Sequence, residues 1–186
     1  MDRRVLKTKK AIMKAFLDLI KEKGFEKITI NDIAERADIN RGTVYLHFID
    51  KYDLLDKCID SYIDDLLLYC KSDTSKQPDA SAMYHAFKYM EGNYENYQIL
   101  FIKESANHFR MRLYAVIEET VSGMLHEEMS NKSFSKQITT HFLTSAIIGI
   151  LEWWLGNSMP CSIGELTGQL WNLLQPYSDI LRITEI

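Results

Sequence analysis

Apolar residues recur every three or four positions along most of this chain, the period of helices that bury one face. Leu6, Met13, Phe16, Leu17 and Ile20 form one such stripe and predict a first helix from Arg4 to Lys23. Gly24 supplies its C-terminal cap, and Phe25 folds back as the hydrophobic partner of that cap. Thr29, with Asp32 three residues on, predicts the reciprocally capped start of a second, short helix whose inward residues are Ile33, Ala34 and Ala37. The period stops at Asp38-Ile39-Asn40 and restarts behind Asn40, a good N-cap. In the third helix Val44 and Phe48 face inward, while Arg41, Thr43, Tyr45 and His47 lie mostly on the other side. A fourth helix, from Asp50 to about Cys70, carries Leu54, Leu55, Cys58, Ile59, Tyr62, Ile63, Leu66 and Leu67.

Residues 71–79 are polar, include Pro78 and read as a linker. Beyond it the pattern predicts helices at about 80–91, 94–103 and 106–129, a long one at 134–155, and one opened by the capping box of Ser162 with Glu165 and ended before Pro176. Ile180, Leu181 and Ile183 add at most a short docked turn. The fold class that follows is all-α, with about nine helices. Residues 1–50 form a helix-turn-helix domain, residues 51–186 form a second helical domain, and helix 50–70 connects the two.

The eighth helix departs from the amphipathic rule, because Ala146-Ile-Ile-Gly-Ile-Leu-Glu-Trp-Trp-Leu155 is apolar nearly all round. One face suits its own domain and the other needs a second partner, which a copy of the same chain would supply through a four-helix bundle. Ile147, Ile150, Trp154, Leu166, Leu170 and Leu173 are the expected interface residues, with Ala146 and Gly149 allowing close approach. The competing reading is a helix fully buried within one chain.

Composition narrows the class. Hydrophobic residues make up 46% of 186, with only three prolines. No apolar run follows the basic N-terminus, and the longest, Ala146–Leu151, is too short to span a bilayer, so neither a signal peptide nor a membrane partner is expected. The three cysteines, Cys58, Cys70 and Cys161, form no CxxC motif and read as reduced thiols of a cytoplasmic protein. The formal net charge of −4 divides unevenly: residues 1–50 carry +3 and the remainder −7. Arg3, Arg4, Lys7, Lys9, Lys10 and Lys14 gather the positive end on and before the first helix. Alone this is a solvated helix face; beside a helix-turn-helix it suits phosphates. A short helix buried on one side and tipped with hydrogen-bonding groups on the other suits the DNA major groove.

The pattern Thr29, Ile33-Ala34, Ala37, Ile39, Gly42-Thr43, Tyr45, His47-Phe48, Lys51, Leu54-Leu55 resembles the DNA-binding domain of the TetR family of bacterial transcription regulators, over roughly residues 8–56. Asp38 and Asn40 stand where the family usually has Gly and Ser. Both residue types enter left-handed turns readily, so the turn is expected to persist. The resemblance implies double-stranded DNA as partner, a homodimer closed by the last two long helices, and no cofactor. It implies DNA contacts from Thr29, Asn31, Asn40, Arg41, Gly42, Thr43, Tyr45, His47 and Lys51. Thr29 and Asn40 would reach phosphate, Arg41 would grip guanine O6 and N7, and Leu46 would make an apolar base contact. Tyr45 packing on the first helix and Lys51 pairing with an acid are the plainer alternatives. Residues 84–124, with Tyr-Glu-Asn-Tyr and Phe-Ile-Lys, and residues 151–155 resemble a narrower Firmicute subgroup that includes regulators found beside dihydroxyacetone kinases.

The resemblance also implies that the second domain holds a small-molecule effector, unidentified here, as in relatives. Tyr84, Phe87, Phe101, His108, Tyr114, His141 and Phe142 are the candidates here, with Arg110 and Glu152 as further polar tips. At helical spacing the same aromatic residues also read as plain core. HExxH, GxSxG, P-loop and GxGxxG motifs are absent, and the histidines show no metal-ligand spacing, so no enzyme is expected. The reading is a dimeric regulator on a pseudo-palindromic operator, a repressor released by its effector. The alternatives on the same fold are an activator and a structural or division-control DNA-binding protein.

Overall fold

The computed structural model describes residues 3–70, 80–102, 106–125 and 133–175. Among them run nine helices: α1 (Arg3–Lys23), α2 (Ile30–Arg36), α3 (Arg41–Tyr45), α4 (Lys51–Cys70), α5 (Ala80–Gly92), α6 (Tyr94–Ile102), α7 (Ala106–Met124), α8 (Ser133–Gly156) and α9 (Ile163–Leu174). The all-α expectation holds, and each helix lies within a few residues of its expected bounds. The linker at 71–79, the end of α7 expected near 129, and the turn expected at 180–183 lie outside the described residues.

Local chemistry sets the N-terminal turns. Gly24 takes φ 79° and its amide donates to the Ile20 carbonyl at 3.1 Å. Phe25 then lies buried, edge-on to Phe16 with ring centroids 6.1 Å apart. The Thr29 hydroxyl accepts from the Asp32 amide, and the Asp32 carboxylate accepts from the Thr29 amide at 2.7 Å, the expected reciprocal cap. Asp38 enters the left-handed region at φ 53°, so it takes the place of the usual glycine. Asn40, at φ −70°, caps α3 by accepting from the Gly42 amide at 2.7 Å.

One apolar cluster runs from Ile12 and Phe16 of α1, through Leu54, Leu55, Cys58 and Ile59 of α4, to Tyr97, Phe109 and Trp154. Helix α4 is therefore a shared wall, and the core is continuous across residue 50. Its acidic outer side is tied to α7, where Arg112 donates to Asp60 at 2.6 Å and His108 approaches Asp56 at 3.4 Å.

Helix α8 stops where its pattern predicts, and the chain reverses just beyond it. Gly156 is the last helical residue, but Ser158 and Met159 are the ones that turn left-handed, at φ 58° and 56°. The Met159 amide returns to the Trp154 carbonyl at 2.8 Å, and the Asn157 side chain donates to the Trp153 carbonyl at 2.7 Å. These bonds satisfy carbonyls that the helix end leaves open. By length and composition, residues 136–156 would suffice to cross a membrane, a point that counting one unbroken apolar run overlooks. In this fold Leu143, Thr144, Ile148, Leu151, Trp154 and Leu155 of that helix are buried within the chain.

Candidate nucleic-acid interface and the C-terminal core

Within residues 28–50 only Arg36 and Arg41 are basic, and the structure gives them different work. Arg36 is clamped by both oxygens of Glu22, at 2.7 and 2.6 Å, which ties the end of α2 to α1. That charge-assisted fork holds the Glu22 carboxyl below its ordinary value and raises Arg36. Arg41 is exposed on the first turn of α3 and makes no ion pair among the described residues. Its guanidinium lies 5.4 Å from the Tyr45 ring centroid and donates to the Tyr45 hydroxyl at 3.1 Å. The pair is set in place before any partner arrives, since Tyr45 stands on the outer side rather than against α1.

Asn31, Asn40 and Gly42 are exposed, and Thr43 and His47 half-buried. With Asn40 Oδ1 engaged at the cap, its Nδ2 remains as a donor directed outward. A Cβ on residue 42 would stand 3.2 Å from Asn40 Oδ1, so glycine there protects the cap as well as leaving the surface low. The Thr29 hydroxyl donates to Asp32 at 2.7 Å, which commits its hydrogen inside the protein. Asp32 also meets Lys23 at 2.8 Å. Lys23 first, then the hydroxyl and amide of Thr29, hold its carboxyl down to about 2.

Lys51 has a further task. Its ammonium donates to the Glu26 and Phe25 carbonyls at 2.9 and 3.2 Å and lies 4.7 Å from the Phe25 ring centroid. It fastens the α1–α2 loop to the start of α4, with carbonyls rather than an acid as partners. Two exposed apolar side chains extend the same surface: Leu46 at 80% and Ile49 at 79%. Ile49 was not among the expected contacts, because a lone isoleucine in a short loop reads from sequence as core. Its amide is held by Asp53 at 2.9 Å, and this turn directs the side chain outward.

In the C-terminal half the structure separates the expected effector residues. Phe87 packs edge-on against Trp154 at 5.7 Å, and Phe101 against Phe109 at 4.7 Å, inside a closed core. His108 stands on the surface beside Asp56. Tyr114 and His141 bond to each other at 2.9 Å across α7 and α8. Phe142 and Tyr84 are exposed, on α8 and α5. Among the described residues these seven are therefore scattered between core and surface, because the buried rings fill the interior against one another. Arg110 and Glu152 form an exposed ion pair at 2.6 Å.

Three of the expected interface residues also need correction. Trp154 is 0% exposed and its indole donates to the Cys161 carbonyl at 3.1 Å; Leu166 and Leu170 are equally internal. Side chains already buried in one chain have no surface to offer a second. Ile147 and Ile150 are half-buried against the core, and Leu173 is 62% exposed. The outward apolar stripe of α8 is instead Ile138, Phe142, Ala146, Gly149 and Trp153, at helical spacing.

The architecture and this surface have known counterparts. The family model described as "Bacterial regulatory proteins, tetR family" matches residues 12–58, and "Transcriptional regulator C-terminal region" matches residues 80–176. The HTH-type transcriptional regulator YxbF of Bacillus subtilis is 28% identical over 155 residues, 81% of this chain but 40% of that protein, so the chain spans well under half of that relative. The biofilm operon icaADBC HTH-type negative transcriptional regulator IcaR of Staphylococcus aureus is 24% identical over 136 residues, 70% of this chain and 67% of IcaR. Among solved structures, the dihydroxyacetone kinase operon activator DhaS superposes with a TM-score of 0.67 over 94% of this chain and 97% of DhaS, and at 22% identity shares the fold. With both halves of the chain matched, and the helix-turn-helix intact between Thr29 and Lys51, the protein belongs to the TetR family of bacterial transcription regulators.

Proposed function

We propose that this regulator is a cytoplasmic repressor that binds a pseudo-palindromic operator as a homodimer and releases it when a small effector binds. The observation that carries the DNA reading is Arg41, the one Lys or Arg of residues 28–50 with no ion pair among the described residues, held by Tyr45 on an exposed helix turn. Arg41 reads a guanine, Leu46 and Ile49 meet thymine methyl groups, and Asn31, Asn40, Thr43, Tyr45 and His47 anchor the surrounding backbone. Gly42 permits the approach. Thr29 and Lys51 act chiefly by fixing the loops that present α2 and α3.

Repression is supported by the likeness to IcaR, a negative regulator by name. Dimerisation is supported by the outward stripe of α8 with Leu173 of α9. Two heads of one dimer would enter major grooves about 34–36 Å apart, and an effector that favours another spacing would lower affinity by population shift. The test is an electrophoretic shift with the chain's own upstream DNA. Arg41→Ala is expected to lose sequence preference while keeping non-specific binding. Unchanged preference would overturn the assignment of α3.

A further inference from the structure

A cleft of about 640 Å³ opens between α1, α4 and the α5–α6 turn, where the helix-turn-helix meets the rest of the chain. This is the size of small-molecule sites. Its wall backs onto Tyr97 of the aromatic core, and none of the residues singled out from sequence as effector contacts lines it. Three tyrosine side chains, Tyr62, Tyr89 and Tyr94, stand in its wall. Tyr89 is stacked on Tyr69 at 4.4 Å and its hydroxyl donates to Asp65 at 3.1 Å; Tyr62 is braced edge-on by Tyr97 at 5.6 Å. Tyr62 and Tyr89 are thus held by other rings, and Tyr94 by hydrogen bonds to the Leu155 carbonyl and the Ser158 hydroxyl, both at 3.3 Å.

The charges of the cleft are arranged unevenly. Glu91 and Glu95 are matched by Lys88 at 2.8 Å and Lys21 at 3.0 Å. Among the described residues Asp18 makes no ion pair, although its charge reaches Arg36, and Asp65 is bonded only by the Tyr89 hydroxyl. Both sit close enough to Tyr62 for their charges to add to burial, the main cause, in raising its hydroxyl to about 12. Lys10 and Lys14 lie on the same wall of α1, two turns and one turn before Asp18, about 12 and 6 Å along the axis. One end of the cleft is cationic, and the end with the tyrosines is anionic.

Aromatic rings beside carboxylates that no direct ion pair holds attract an organic cation, through the ring quadrupole and through charge. We propose that the cleft binds a small organic ammonium ion between the tyrosine rings and the carboxylates of Asp18 and Asp65. The site lies between helices on either side of residue 50. Lys10, Lys14 and Asp18 belong to α1, whereas Tyr62, Tyr89 and Asn96 belong to the helices beyond it. An ion seated there sets the spacing of α1 from α6, which the Lys21–Glu95 pair also bridges. Occupancy is thereby linked to the position of the DNA-binding helices. The binding claim stands alone; its regulatory consequence rests on the repressor reading above.

The test is titration calorimetry of the full chain with benzyltrimethylammonium, with benzyl alcohol and benzoate as neutral and anionic counterparts. The cation is expected to bind saturably at one site per chain, and the two counterparts far more weakly. Asp65→Asn and Asp18→Asn are each expected to weaken it about tenfold, the loss of one carboxylate charge beside the cation. The asparagine at 65 can still accept from Tyr89, and Asp18 makes no hydrogen bond within the described residues, so the second variant decides if the first fails to fold. No saturable heat, benzoate binding as tightly, or unchanged affinity in Asp18→Asn would overturn the site. In a parallel anisotropy titration the cation is expected to weaken operator binding by the wild-type chain and not by Asp18→Asn. Calorimetric binding without that effect would uphold the site and overturn its link to DNA. Failure of the chain to bind the operator at all would overturn the repressor reading while leaving the calorimetric result intact.

Discussion

The helix-turn-helix and the C-terminal helices use polar side chains for different ends. From Glu22 to Lys51 nearly every polar residue with an internal partner fixes a turn: Thr29 with Asp32, Asn40 with Gly42, Arg36 with Glu22, and Lys51 with the α1–α2 loop. The C-terminal half is shaped by rings, with Phe87, Trp154, Tyr97, Phe109 and Phe101 meeting edge to face. Its surface polar pairs, such as Lys88–Glu91, join residues already held by the core. Helices of five and seven residues bury too little apolar area to hold themselves, so caps and clamps must position them. A 24-residue helix such as α8 is positioned by its buried face.

The contrast breaks most visibly at two adjacent tryptophans. Trp154→Ala is expected to cost about 3–5 kcal/mol in urea unfolding of the chain, the loss of a large buried ring and the cavity left behind. Trp153→Ala, on the outward stripe, is expected to change intrinsic stability by only about 0.5 kcal/mol and to weaken self-association in sedimentation. Equal losses in both variants would dissolve the distinction between core and interface on α8. In the N-terminal half, Arg41→Ala is expected to cost about 1–3 kcal/mol of discrimination between operator and random DNA. Its melting temperature should stay close to wild type, because among the described residues Arg41 holds only Tyr45.

Smaller effects test the caps. Thr29→Ala removes one side of the α2 box and is expected to lower stability by about 1 kcal/mol, read from denaturant midpoints. Acid should act through the same box. The Asp32 carboxyl is depressed from an ordinary value near 4 to about 2 in the folded protein, so its contribution is complete above the unfolded value and fades as pH falls toward 2. The acid sensitivity of unfolding between about pH 4 and pH 2 should therefore be shallower in Asp32→Asn than in wild type. An unchanged slope would remove Asp32 from the acid response.

Residues within a few positions of one another were legible without a structure. The Thr29–Asp32 and Ser162–Glu165 boxes, the Gly24 cap and the left-handed place near Asp38 all appear where their spacing puts them. Even here distance limited the reading. Lys51 was assigned to DNA because its carbonyl partners lie 25 and 26 residues earlier. Ile49 was assigned nowhere, since an outward isoleucine has no sequence signature.

By itself, then, the sequence determined the helices, their ends, and the face of α3 turned outward, because capping and helical periodicity act over one to four residues. It also determined the kinds of side chain available to the core. Which aromatic residues would fill that core, and which would be left outside, only the tertiary structure decided. Trp153 and Trp154 are neighbours of one type on one apolar helix, and nothing local separates them. Trp154 is internal because α5 places Phe87 against it and Cys161 accepts its indole proton, contacts that exist only once the chain has closed on itself. The cleft of Tyr62, Tyr89, Asp18 and Asp65 has the same origin, since α1, α4 and α5 meet there across more than 70 residues of sequence.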